Sequence, residues 1–165
     1  SELLPLRAEA TSCLGKMGKL LINDREAFVK LIVPYIESVW VGLQKIQDSE
    51  IRMHSFAFFY NVSYCLQEEF KPFLETLMTM IVETIESEEY KKKPQVTFSL
   101  DSDSEDEDDE DGYYAPKNDV RVELIEEKGT AIIAMGELAK ACPLLFVPYF
   151  PKAIQVLAKI DDFYQ

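Results

Sequence analysis

Apolar residues recur along this chain at steps of three and four, the spacing that lines side chains up on one face of an α-helix. Ala10, Cys13, Met17 and Leu21 make one such stripe, and Phe28, Ile32, Tyr35, Val39, Leu43 and Ile46 make a second. Ile51, Phe58, Val62 and Cys65 form a third, and Phe70, Phe73, Leu77, Ile81 and Ile85 form a fourth, the cleanest of the set. Leu124, Ala131, Met135, Leu138 and Cys142 form a fifth, and Phe146, Tyr149, Ala153, Leu157 and Ile160 a sixth. No run sustains a period of two. The pattern therefore predicts six amphipathic helices and no sheet.

The helices pair, and the second of each pair opens on a related phrase. "IVPYIESVW" carries Pro34-Tyr35, "FKPFLETLM" carries Pro72-Phe73, and "FVPYFPKAI" carries Pro148-Tyr149. Proline is tolerated in the first turn of a helix because that N–H has no helical partner. Pro34 and Pro72 lie 38 residues apart, and Pro72 and Pro148 lie 76 apart. The second offset fits one period plus an insertion of roughly 30 to 35 residues, and a period near 40 built of two helices marks a HEAT-type solenoid. The competing architecture is a plain helical bundle. The expected fold class is all-α, an α-solenoid of about three HEAT-type hairpins, six helices in all, with a long acidic loop between repeats. Repeat one is placed at about 3–47, repeat two at 48–87, the loop at 88–118 and repeat three at 119–165. The first unit is longer between its helices, at "INDREAF".

Charge changes the picture at one place. The chain carries a net −13, and the stretch 101–111, "DSDSEDEDDED", supplies −9 of it, leaving −4 for the other 154 residues. Such a stretch has too few apolar groups to collapse and should stay extended. It repels nucleic acid and acidic membrane and attracts basic partners, through solvated charges that salt screens. The candidate residues for a basic partner are Asp101, Asp103, Glu105, Asp106, Glu107, Asp108, Asp109, Glu110 and Asp111. Glu75, Glu83, Glu86, Glu88 and Glu89 would continue that acidic surface from the fourth helix into the loop. Lys91, Lys92 and Lys93 partly neutralise the loop, so a basic partner would have to displace them. Ser102 and Ser104 each have a glutamate three positions on, the pattern of an acidophilic kinase site, where each phosphate would add roughly −1.5 to −2.

Chemistry is sparse. His54 is the one histidine, and no second histidine, cysteine or aspartate falls at metal-ligand spacing around it. "GKMGK" at 15–19 lacks the spacing and hydroxyl of a phosphate loop, and its glycines, like Gly129 and Gly136, read as positions of close helix packing. The acidic run lacks the spaced ligands and turn glycine of an EF-hand. No enzyme, cofactor or metal site is expected. With 17 Lys and Arg against 30 Asp and Glu, no direct nucleic-acid binding is expected either. Cys13, Cys65 and Cys142 are far apart with apolar neighbours, which predicts reduced, buried thiols in an intracellular protein. No segment approaches ~18 apolar residues and no signal peptide is visible. The chain starts on Ser1 and stops in "KIDDFYQ", which predicts a piece of something longer.

One stretch carries a family likeness. An acidic insertion followed by "ELIEEKGTAIIAMGELAKACPLLFVPYFPKAIQVLAKI" resembles the middle of the importin-β (karyopherin-β) nuclear transport receptors, most of all the importin-four type branch of receptors for ribosomal proteins and histones. The matching positions are Glu126, Glu127, Lys128, Thr130 and Ala131, the helix start from Phe146 to Tyr149, and the acidic loop before them. The resemblance covers residues 51–165 well, and the first 50 by repeat pattern alone. It implies a monomeric HEAT superhelix of about twenty repeats that shuttles between cytoplasm and nucleus. It implies basic cargo, release by the GTPase Ran, and docking by phenylalanine-glycine nucleoporins. In that family acidic loops and inner surfaces meet basic signals or Ran, and only the run 101–111 matches here. Two other readings stay open: a HEAT scaffold outside transport, and an acidic histone-chaperone-like protein.

Overall fold

A computed structural model describes residues 3–88 and 119–161. Among them there are eight α-helices and two 3-10 turns, and no strand. In chain order the helices are α1 (Leu4–Leu20), α2 (Arg25–Leu31), α3 (Val33–Lys45), α4 (Ser49–Leu66), α5 (Lys71–Glu86), α6 (Asp119–Ala141), α7 (Pro143–Phe146) and α8 (Phe150–Asp161). The 3-10 turns are Gln67–Phe70 and Val147–Tyr149. They build three stacked antiparallel hairpins, in which α1, α4 and α6 are the first helices and α3, α5 and α8 the second. The fold is an all-α helical-repeat solenoid.

Six helical segments were expected, and two of them are divided. A helix running unbroken through Pro34 would lose a backbone donor and drive the proline ring into the carbonyl of Lys30. The chain instead ends α2 at Leu31 and restarts at Val33, with Pro34 in the first turn of α3. The sixth segment breaks in the same way around Pro143 and Pro148, into α7, a 3-10 turn and α8. Pro72 opens α5. Side-chain caps start α2 and α4: Asp24 accepts from the Ala27 N–H at 3.0 Å, and Asp48 from the Ile51 N–H at 2.9 Å.

The core lies between the two layers. Phe28, Phe56, Phe58, Phe59 and Phe70 are fully buried, each worth about 1.5–3 kcal/mol by area removed from water. Trp40 stands edge-on to both Phe59 and Phe73, with ring centroids 5.3 Å apart in each pair. The predicted stripes of α4 and α5 and the latter part of α6 face this core.

The stripe predicted on α1 does not. Ala10, Cys13 and Met17 are exposed, and Leu21 is only half-buried. The buried face is Ala8, Thr11, Ser12, Gly15 and Gly18. The reason is distance. A Cβ on Gly15 would sit 2.7 Å from the Phe58 Cα, so α1 lies against the backbone of α4, and only a face of small residues permits that. A Cβ on Gly18 would come within 3.2 Å of Val62. The expectation that glycines mark close packing thus holds for these two and fails for Gly129 and Gly136, where a Cβ would meet nothing within 4 Å. Two smaller corrections follow from burial. Cys13 is exposed rather than buried, and Leu157 is 38% exposed, its place in the core taken by Val156. All three cysteines are free thiols. No described helix is long and apolar enough to cross a membrane.

Opposite outcomes are expected from one substitution at two glycines. Gly15→Ala should destabilise by about 1–3 kcal/mol, because backbone rather than a yielding side chain blocks the new methyl. Gly129→Ala should stabilise by about 0.5–1 kcal/mol, since it only removes chain entropy from mid-helix. Denaturant melts of the two variants check both signs.

Candidate functional site

The polar faces of the second helices expose the residues from which an acidic surface was expected. Glu75, Glu83 and Glu86 of α5 are all exposed, as are Lys152, Gln155 and Lys159 of α8. Packing of α8 beside α5 alters what these charges offer. Lys152 and Lys159 each donate to the same Glu86 Oε1 at 3.0 Å. The Lys152 hydrogen bond, and then that of Lys159, hold the Glu86 carboxyl below its usual range. Glu75 acts on the neighbouring helix in another way. Burial pushes the Tyr149 phenol up, and the Glu75 carboxylate adds to it. Glu88 is exposed at the end of the described stretch. Glu89, the nine acidic residues of 101–111, Ser102, Ser104 and Lys91 to Lys93 lie outside the described residues.

Glu83 faces a cavity of about 350 Å³ that the sequence did not announce. The turn between α3 and α4, the first turn of α4, the C-terminal half of α5 and the first half of α6 enclose it. Its apolar wall is Leu43, Met80 and Leu124, and its charged groups are Asp48, Arg52, Glu83, Glu127 and Lys128. The wall is held by Glu127, whose side chain is only 5% exposed. The Ser49 hydroxyl donates to it at 2.5 Å, and an Arg52 nitrogen lies 3.0 Å from its other oxygen. The remaining Arg52 nitrogen donates to Gln47 at 3.2 Å. The Lys128 ammonium reaches the Ile85 carbonyl at 2.9 Å, satisfying one of the orphan acceptors at the end of α5. Glu127 and Lys128 therefore stitch α6 to both α4 and α5. Asp48 and Glu127 were not among the candidate residues. Asp48 does carry a sequence signal, an aspartate just before a helical stripe, but that signal speaks of capping and not of a cavity.

A second polar cluster joins the first helices. Glu137 of α6 accepts from Lys140 at 2.6 Å and from the Tyr64 hydroxyl at 2.9 Å, and Lys19 of α1 lies 3.6 Å away. Lys19 also sits 4.4 Å above the Tyr64 ring. The Lys140 hydrogen bond, then that of Tyr64, hold the Glu137 carboxyl below its ordinary value. Burial, with the Glu137 hydrogen bond second, pushes the Tyr64 phenol up to about 12. Burial also raises the thiols of Cys65 and Cys142, whose S–H groups donate to the Gly18 carbonyl at 3.2 Å and the Gln67 carbonyl at 3.4 Å.

Stacked hairpins with proline-opened second helices describe a class of scaffold, and one known protein matches along nearly the whole chain. This chain is similar to an importin subunit. It is 25% identical over 170 residues to the probable importin subunit beta-4 of Schizosaccharomyces pombe, an alignment that takes in 97% of the chain. The chain spans 16% of that relative's length. No family model matches the chain, and no solved structure does.

Glu137 supplies a pH test. Its folded value is depressed, so its stabilisation is present above the unfolded value of about 4.5 and is lost as pH falls through the lower folded value. Melting temperature should fall as pH drops below 4.5, and Glu137→Gln should make that fall shallower while lowering stability at neutral pH. Thermal melts across the acid range read both effects.

Proposed function

We propose that this chain is a segment of a nuclear import receptor of the importin-β family, in the importin-four type branch, that binds basic cargo. The observation that carries this is the similarity to an importin subunit along 97% of the chain, on a scaffold of stacked helical hairpins. Ribosomal proteins and histones are the cargo class that such a branch suggests. Ran in its GTP form would release the cargo, and phenylalanine-glycine nucleoporins would carry the receptor between cytoplasm and nucleus. In this reading the scaffold recognises and does not catalyse. The run 101–111 is the electrostatic arm, with Ser102 and Ser104 as phosphorylation sites that would deepen its charge. A single exposed pair contributes about 0–1 kcal/mol, but nine like charges raise encounter rate and select for basic partners together.

The full-length protein tests this directly. A lysine-rich import-signal peptide should bind about tenfold more weakly when salt shortens the screening length from near 10 Å toward 3 Å, and GTP-loaded Ran should displace it. Deleting 101–111 should flatten the salt dependence. Binding indifferent to Ran would overturn the receptor reading in favour of a scaffold or histone-chaperone role.

A further inference from the structure

The cavity beside the first turn of α4 has a charge balance that selects a ligand. Arg52 is neutralised by Glu127 and also donates to Gln47, while Lys128, held on the neutral Ile85 carbonyl, offsets only one of the two other carboxylates. Glu127 is spent on Ser49 and Arg52. What remains is negative. Asp48 gives one oxygen, Oδ1, to the Ile51 N–H, and no described residue engages the Glu83 carboxylate. An anion entering here would meet two carboxylates. A wholly apolar guest would strip water from them without replacing it.

We propose that this cavity is a slot for one lysine or arginine side chain of a bound basic segment. Leu43, Met80 and Leu124 provide an apolar wall for the methylene stem, while Asp48 and Glu83 receive the charged head. The volume, about 350 Å³, stands at the small end of the range of about 300–1,000 Å³ for ligand sites, which suits one long side chain and not a folded domain. A side chain anchored here would give short-range register to an attraction that is otherwise diffuse. The slot deepens the proposed function and rests on it only in requiring that a basic polypeptide reach this face.

The test uses the full-length protein and an acetylated Gly-Ser-Lys-Arg-Lys-Ser-Gly peptide, alongside its counterpart with citrulline for arginine and norleucine for both lysines. Asp48→Asn with Glu83→Gln removes the two charges and keeps the helix cap, because asparagine caps as well as aspartate. Glu9→Gln with Glu26→Gln removes the same charge from α1 and α2. At a salt concentration that screens long-range attraction, the slot variant should bind the charged peptide about tenfold more weakly and the control should match the parent. The Met80 methyl resonance, assigned through Met80→Leu, should shift with the charged peptide and not with the neutral one. Equal binding by the slot variant, with Met80 unmoved, overturns the slot and leaves the receptor reading intact. Loss of affinity in the slot variant, with a Met80 shift but no displacement by GTP-loaded Ran, upholds the slot and overturns the receptor reading. No binding of the peptide overturns both.

Discussion

A carboxylate withdrawn from water must be paired or it destabilises the fold, and in this protein the Glu127 carboxylate is that constraint. Its partners, Ser49 and Arg52, lie 78 and 75 residues away in sequence at the opening of α4. The next residue, Lys128, holds the last turn of α5. One turn of α6 therefore fastens the third hairpin to both helices of the second. The same bonds fix the end of α5 relative to the third turn of α6. They also decide the chemistry of the cavity, because Arg52 is paired with Glu127 and Asp48 and Glu83 then outnumber Lys128. Removing Glu127 would do more than loosen a joint. It would release Arg52 into the cavity and cancel the negative balance there.

The hairpins are joined differently at the two interfaces. Between α1 and α4 the contact reaches the backbone at Gly15, against Phe58, and the Val62 side chain at Gly18. Between α4 and α6 it is made through larger side chains, Met135 and Leu138, with Ala131 and Ala134. The cluster of Lys19, Tyr64 and Glu137 spans all three first helices and ties the two interfaces together.

Much of this was legible in the sequence, and what was not has identifiable causes. Periodicity placed every helical segment, and the proline phrases placed the starts of α3 and α5, because a proline's missing donor leaves it few other positions. The burial of α1 was misread because the period was counted on large apolar residues. A glycine, serine and threonine face has no hydrophobic signal, although it lets α1 lie against the backbone of α4. The acidic residues of α5 were found, but their electrostatics were not. Glu86 depends on Lys152 and Lys159, 66 and 73 residues away. The cavity is assembled from four segments, and nothing local in any of them speaks of it.

Glu86 carries one further consequence. Two ammonium groups share its single carboxylate, so that small group is a net cation on the exposed face. Glu83, less than one helical turn before it, meets no cation in a salt bridge among the described residues. The potential along this face therefore changes sign within a few ångströms, from the cavity toward α8. An extended basic chain laid across it would be drawn at one end and repelled at the other. Such a gradient gives the surface a polarity, so that a basic ligand with clustered charge would be held differently from one whose charge is spread evenly.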